Sequence, residues 1–265
     1  MLTNYHTHCY RCQHAEGVES DYINEAIEQG FDILGMSDHV PYRGDPEGLR
    51  MSFGEIWDYI EAVRSEAEKN KDKIEVLLGF ESEYLPSKRN YYESLLTEYQ
   101  VDYLALGQHF FQNTPFRAKS SFALSSTSDC ITYAKSVAEA LDTGYFAFVA
   151  HPDIVGVNQL PWDKNMDEMT DIIINAAVKH DIPLEVNVNG IRRGLITEEN
   201  DVHYMYPHYK FWEKAAEAKA KAIVSADCHA PHLLLDDDVR KTKEIAHNWG
   251  VNIIDVLPLG KNKKS

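Results

Sequence analysis

The stretch "IEVLLGFE", residues 74–81, decides the fold. Large apolar side chains and one glycine fill it almost without a break, and it ends on a carboxylate. A short run of this kind reads as a strand buried on both faces, the pattern of a parallel sheet. Seven more runs resemble it: "LTNYH" (2–6), "FDILGMS" (31–37), "DYLALGQH" (102–109), "YFAFVAH" (145–151), "IPLEVNVN" (182–189), "AKAIVSAD" (220–227) and "VNIIDVL" (251–257). Longer amphipathic segments lie between them. "SDYINEAIEQG" opens on a Ser cap and closes on Gly, and "FGEIWDYIEAVRSEAEKN" sets Ile56, Ile60 and Val63 on one face. "STSDCITYAKSVAEALDTG", "MDEMTDIIINAAVKHD", "PHYKFWEKAAEAKA" and "DDDVRKTKEIAHNWG" continue the series, the last with acidic residues where a helix N-terminus favours them. Strand and helix alternate throughout, so the class is α/β with crossover helices on a parallel sheet. At 265 residues a closed, TIM-like barrel is the natural form, and a doubly wound open sheet is the runner-up. No G-x-G-x-x-G follows the first strand, so the dinucleotide fold lacks its fingerprint.

Composition narrows the function. The net charge of −16 disfavours nucleic acid as a partner, because phosphate backbones call for a basic face. No apolar run is long enough to span a bilayer, and "MLTNYHTHCY" has no basic or apolar leader, so the expected location is cytoplasmic, without membrane contact. No linker or repeat divides the chain, which predicts one domain over 1–265, and nothing marks an interface, which leaves monomer as the default. Cys9 and Cys12 form a C-x-x-C, but Cys130 and Cys228 stand alone. Neither a disulfide framework nor a structural zinc knuckle follows.

The chemistry stands where the runs end. In a barrel, catalytic residues come from the C-terminal ends of strands and the loops just after them. The first run delivers His6 and His8, with His14 in its loop; the second, Asp38 and His39; the third, Glu81. His109 ends the fourth, and His151 the fifth, followed by Asp153. The sixth carries Asn187 and Asn189, then Arg192 and Arg193; the seventh, Asp227 and His229. Seven of the twelve histidines therefore fall at one predicted rim. Any one alone reads as a core or loop histidine; together, with carboxylates, they read as ligands for zinc, manganese or iron. The set exceeds what one ion needs and suits two or three ions around a shared carboxylate. Such a cluster hydrolyses phosphate esters well.

In order and spacing, "HTH…H", "SDH", "GFE", "QH", "HPD" and "SADCH" resemble the polymerase-and-histidinol-phosphatase (PHP) family, from His6 to His229. The stretch "EVNVNGIRRG…YP" (185–207) is similar to its histidinol-phosphatase branch. The resemblance implies a distorted (β/α)7 barrel holding three divalent ions. It gives one ion His6, His8, Glu81 and Asp227; a second Glu81, His109 and His151; a third His14, His39 and His229. It implies hydrolysis of L-histidinol phosphate in histidine biosynthesis, with a metal-bridging hydroxide as nucleophile. Another small phosphate ester or oligonucleotide ends are the alternative substrates, and a non-catalytic metal-binding module the alternative class. "SADCH" departs from the commoner S-D-A-H ending but keeps the Asp-x-His spacing. Asp153 and His229 are candidate proton donors to the leaving group, and Asp38 a candidate orienting group. One of Arg192 and Arg193 is expected to meet phosphate, with Arg43, Arg117 and Lys119 behind them. Glu83, Asp45 and Asp153 are candidates for the substrate ammonium.

Overall fold

Alternation along each strand sorts the core into two layers. The computed structural model describes residues 1–44, 49–114, 117–198 and 201–259. Eight strands form one parallel sheet in chain order: β1 (Thr3–Asn4), β2 (Ile33–Met36), β3 (Glu75–Ser82), β4 (Tyr103–Leu106), β5 (Phe148–Val149), β6 (Leu184–Asn187), β7 (Lys221–Ser225) and β8 (Asn252–Ile253). On β4, Tyr103 and Ala105 join an inner cluster with Tyr5, Ile33, Phe148, Ile223 and Leu257. Leu104 and Leu106 point outward to the larger cluster shared with the helices. The same period places Ile223 inside and Ala222 and Val224 outside on β7.

The sheet curls until its ends meet. At the C-terminal end of β1, Thr7 bridges Cys228 in parallel, with His8 N–H donating to the Cys228 carbonyl at 2.9 Å. Below that bridge β8 pairs with β7, and the Thr3 hydroxyl donates to the Asp255 carbonyl at 2.6 Å. The seam is thus closed directly at the top and through the eighth strand at the bottom, which gives the expected distorted barrel. The open-sheet alternative is excluded by this closure.

The helices α1 (Glu19–Glu28), α2 (Ile56–Asn70), α3 (Arg89–Thr97), α4 (Thr127–Thr143), α5 (Lys164–His180), α6 (Val188–Arg192), α7 (Tyr209–Glu217) and α8 (Asp237–Asn248) cover the barrel. Asp236 caps α8 by accepting from Val239 N–H at 2.9 Å, as its acidic start predicts. Two expectations are corrected. Helix α1 begins at Glu19, with the Asp21 carboxylate taking the Val18 N–H, so Ser20 is not its cap. The sixth run is strand only to Asn187. Its side chain caps α6, which places Asn189 and Arg192 on a short helix. Two hairpins were not foreseen, Phe110–Thr114 with Arg117–Ser120 and Leu195–Glu198 with Asp201–Tyr204. Among the described residues, no helix is long and apolar enough to cross a membrane.

Tyr103 plugs the barrel floor. Its ring lies so close to β3 that a Cβ on Gly79 would meet ring carbons at 2.5–2.8 Å. Its hydroxyl donates to the Tyr5 carbonyl at 2.7 Å. Gly79→Ala is therefore expected to lower unfolding stability by about 1–3 kcal/mol through overpacking, measured by urea denaturation; an unchanged midpoint would contradict this packing.

Candidate metal centre

β3 alternates Leu77, Gly79 and Glu81 toward the barrel interior, and Glu81 is the member that reaches the mouth. Its two oxygens face different histidines. Oε2 lies 3.4 Å from His6 Nε2, 3.4 Å from His8 Nε2 and 3.0 Å from His39 Nδ1. Oε1 lies 3.3 Å from His109 Nε2 and 2.8 Å from His151 Nε2. This close approach needs a missing side chain beside it: a Cβ on Gly107 would sit 2.0 Å from Glu81 Oε1. Asp227 supplies the facing carboxylate. Its Oδ1 stands 3.5 Å from His6 Nε2 and 3.3 Å from His8 Nε2, while Oδ2 accepts from the amides of Asn187 at 3.2 Å and Asn189 at 3.4 Å. The ligand atoms of His14, His39 and His229 lie within 4.8 Å of one another. All seven rim histidines are thus brought to one place.

Sequence reasoning missed the carboxylate beneath them. Glu185 on β6 is fully buried, accepts from His151 N–H at 2.9 Å and sits 2.8 Å from His6 Nδ1. It turns His6 Nε2 toward Glu81. Its signal was the alternation of Glu185 with Asn187 on one face of an otherwise apolar strand. Glu83, expected to bind a substrate ammonium, is also engaged from within. It forms two hydrogen bonds with Arg50, at 3.0 and 3.2 Å, and lies 3.4 Å from His109 Nδ1. Asp38 is fully buried, accepts from His39 N–H at 2.7 Å and from the Cys9 thiol at 3.0 Å, and lies 3.7 Å from His8 Nδ1. It meets the histidines from within and does not line the cleft.

The electrostatics call for cations. Burial alone would lower His6, but Glu185, Asp227 and Glu81 outweigh it and hold the imidazole well above its ordinary range. His8 is treated alike: burial opposes, while Asp227, Asp38 and Glu81 raise it to about 9. Glu81 and Asp227 are held well below the carboxylate range, against the cost of burial, by the histidines around them. Burial lowers His39 to about 4 although Glu81 opposes it. His6 Nε2 and both ring nitrogens of His8 are buried without a hydrogen-bond partner. Buried carboxylates among orphaned imidazole nitrogens form a donor set that divalent ions fit. Cys12 lies within 4.8 Å of His8 and His229, and burial pushes its thiol up to about 12.

The centre opens into a cleft of about 410 Å³ whose wall includes Arg193, Tyr206, Phe110, Phe122 and Leu233. Of the other expected residues, Arg192 and His229 line this cleft, and Asp153, Arg43 and Lys119 do not. Asp153 turns away from the cleft, accepting from His208 N–H at 2.6 Å and lining a separate small cavity with His203 and Trp162. Burial pushes its carboxyl up to about 7, but the geometry removes it from proton donation to a substrate. His229 faces the cleft, and burial, with His8 nearby, lowers it to about 3. Arg192 stands on the cleft wall with its guanidinium engaged from within: it donates to the carbonyls of Ala226 at 2.6 Å and Leu233 at 2.8 Å and pairs with Asp236 at 3.1 Å. Arg43 stacks on Phe53 at 3.9 Å, and Lys119 pairs with Asp129 at 2.6 Å. The Arg117 side chain and Asp45 fall outside the described residues. Arg193 remains, exposed at the rim with its Nε donating to the Tyr206 hydroxyl at 3.0 Å.

A family model described as PHP domain matches residues 4–189. A Schizosaccharomyces pombe protein named "Probable histidinol-phosphatase" is 27% identical over 264 residues, covering 88% of this chain and 82% of the relative. A Deinococcus radiodurans protein of the same name is 27% identical over 124 residues, 44% of this chain and 48% of the relative. The fold is similar to that of histidinol phosphate phosphatase from Lactococcus lactis, solved with zinc, L-histidinol and phosphate. The TM-score is 0.69 at 15% identity, over 96% of this chain and 95% of that one.

Gly107→Ala is expected to leave a folded protein whose bound divalent metal falls, because the added methyl group displaces Glu81. Elemental analysis beside circular dichroism measures both. Wild-type metal content in a folded variant would contradict the tight approach.

Proposed function

The chain belongs to the PHP domain family, and from that membership we propose that it hydrolyses L-histidinol phosphate to L-histidinol and phosphate, as a step of histidine biosynthesis, acting as a cytoplasmic monomer. The observation that carries this reading is one buried carboxylate, Glu81, whose two oxygens each serve a separate set of histidines at the floor of a cleft. The name borne by the S. pombe relative, over 88% of this chain, supports the choice of substrate. The zinc, histidinol and phosphate held by the L. lactis enzyme support the chemistry.

Three divalent ions of zinc, manganese or iron fit the donors. His6, His8, Glu81 and Asp227 would hold one, Glu81, His109 and His151 a second, and His14, His39 and His229 a third. When bound, such ions polarise phosphate oxygens and bring the pKa of a water toward neutrality. The chain's own residues do the rest. Glu185 and Asp38 set the faces that His6 and His8 present, and Glu83 stands behind His109 in the same way. Asn187 and Asn189 hold Asp227 through its outer oxygen, leaving Oδ1 toward the histidines. Arg193 offers a guanidinium at the rim for phosphate. The net charge of −16 repels a nucleic-acid backbone and favours a free small ester.

The direct test is turnover of L-histidinol phosphate beside p-nitrophenyl phosphate and a dinucleotide in metal-replete protein. Histidinol phosphate is expected to lead in kcat/KM by at least about tenfold, the discrimination a shaped pocket readily supplies; equal or better turnover of either competitor contradicts the substrate. Glu81→Gln is expected to lose metal from both sites that share it and to lose activity with it. Retention of full metal content would show that the carboxylate is not shared.

A further inference from the structure

We propose that Phe122 selects the substrate by stacking against its ring. This rests on the histidinol phosphate reading and names the residue that recognises the imidazole. Phe122 lies just beyond the strand Arg117–Ser120, which pairs with Phe110–Thr114 directly after His109. Its segment is pinned to the centre. Ser121 donates to the His109 carbonyl through its N–H at 2.8 Å and its hydroxyl at 3.1 Å. Asn158 closes the other side, donating to the Ser121 carbonyl at 2.7 Å and accepting from Leu124 N–H at 2.8 Å.

The clamp holds the backbone on either side of the ring. Phe122 stacks on the His109 imidazole with centroids 5.8 Å apart and planes 15° from parallel. The side chain nevertheless remains 46% exposed, on the wall of the cleft. The ring thus runs nearly parallel to His109 at an offset, while much of it stays open beside the centre where the phosphate would lie. Holding a large aromatic half exposed on an anchored backbone forgoes its burial and suits a group that gains cover from a ligand. A planar, partly cationic imidazole is the matching partner, through offset stacking and attraction to the ring face. No ordering of the loop is then needed on binding, because the hydrogen bonds have already fixed it.

The rival role is a lid that shields His109 from water, which any bulky apolar side chain fills. Phe122→Leu and Phe122→Tyr separate the two. The readout is the kcat/KM ratio of L-histidinol phosphate to O-phosphoethanolamine, an aminoalkyl phosphate without a ring, in metal-replete protein. Phe122→Leu is expected to lower the ratio about tenfold, chiefly through KM for histidinol phosphate, and Phe122→Tyr to restore it. An unchanged ratio in Phe122→Leu, whether both substrates fall together or neither does, overturns the proposal. A wild-type protein with no preference for histidinol phosphate overturns the substrate reading and this inference together. A wild-type preference that survives in Phe122→Leu overturns this inference alone.

Discussion

Everything at the mouth of the barrel depends on the Glu81 carboxylate being held, buried, among five imidazoles at 2.8–3.4 Å. A charged group in that position is costly unless its partners are fixed around it. The barrel provides the fixing. Hydrogen bonding between β2 and β3 continues past the regular strands, where Val40 N–H donates to the Glu81 carbonyl at 2.8 Å and brings His39 alongside. Gly107 leaves the gap that the carboxylate enters. Around it, Glu185, Asp38 and Glu83 each take the far side of a histidine, so the nitrogens that remain converge. The backbone contributes strain in the same region: His151 and Asp227 adopt φ of 31° and 46°, conformations that non-glycine residues hold only when their surroundings impose them. Both residues follow strands and aim side chains inward at the point where the extended chain must turn outward.

The barrel was legible because its strands are buried on both faces and so read as apolar runs, and the centre because each run ends on a histidine or carboxylate. "IEVLLGFE" illustrates both: Leu78 and Phe80 pack outward, Gly79 clears Tyr103, and Glu81 emerges at the top. The supporting groups were harder to see. Glu185 lies inside a strand and not at its end, so a search of strand ends passes over it. The roles of Arg192 and Asp153 depend on partners 34–55 residues away, Ala226, Leu233, Asp236 and His208. Charge type alone suggested phosphate and proton transfer; the partners instead hold Asp153 away from the cleft and occupy the Arg192 guanidinium at its wall. The two hairpins escaped notice because their strands are short and lack a long apolar run, yet one of them leads to Phe122.

The division between these layers also separates stability from function. The inner floor around Tyr103 and Tyr5 is apolar and closed, whereas the upper layer collects like-charged carboxylates whose repulsion needs protons or metal ions to offset it. Arg192 and Asp236, which share a pair at 3.1 Å, tie α6 to the start of α8 and so keep the Asn187–Asn189 turn against Asp227. The cleft above is walled by aromatic groups, Arg192 and Arg193 and is free of further unpaired carboxylates among its described lining residues. That contrast, an anionic floor beneath a neutral to basic wall, suits a phosphate ester carrying a flat ring.

The most direct test of the account is an anomalous-scattering map of crystals grown with a single divalent metal. Two peaks flanking Glu81, one beside each oxygen, with a third among His14, His39 and His229, are the predicted result. A map with no peak on one side of Glu81, or with the metal bound at the cysteines instead, would contradict the shared carboxylate on which the reading stands.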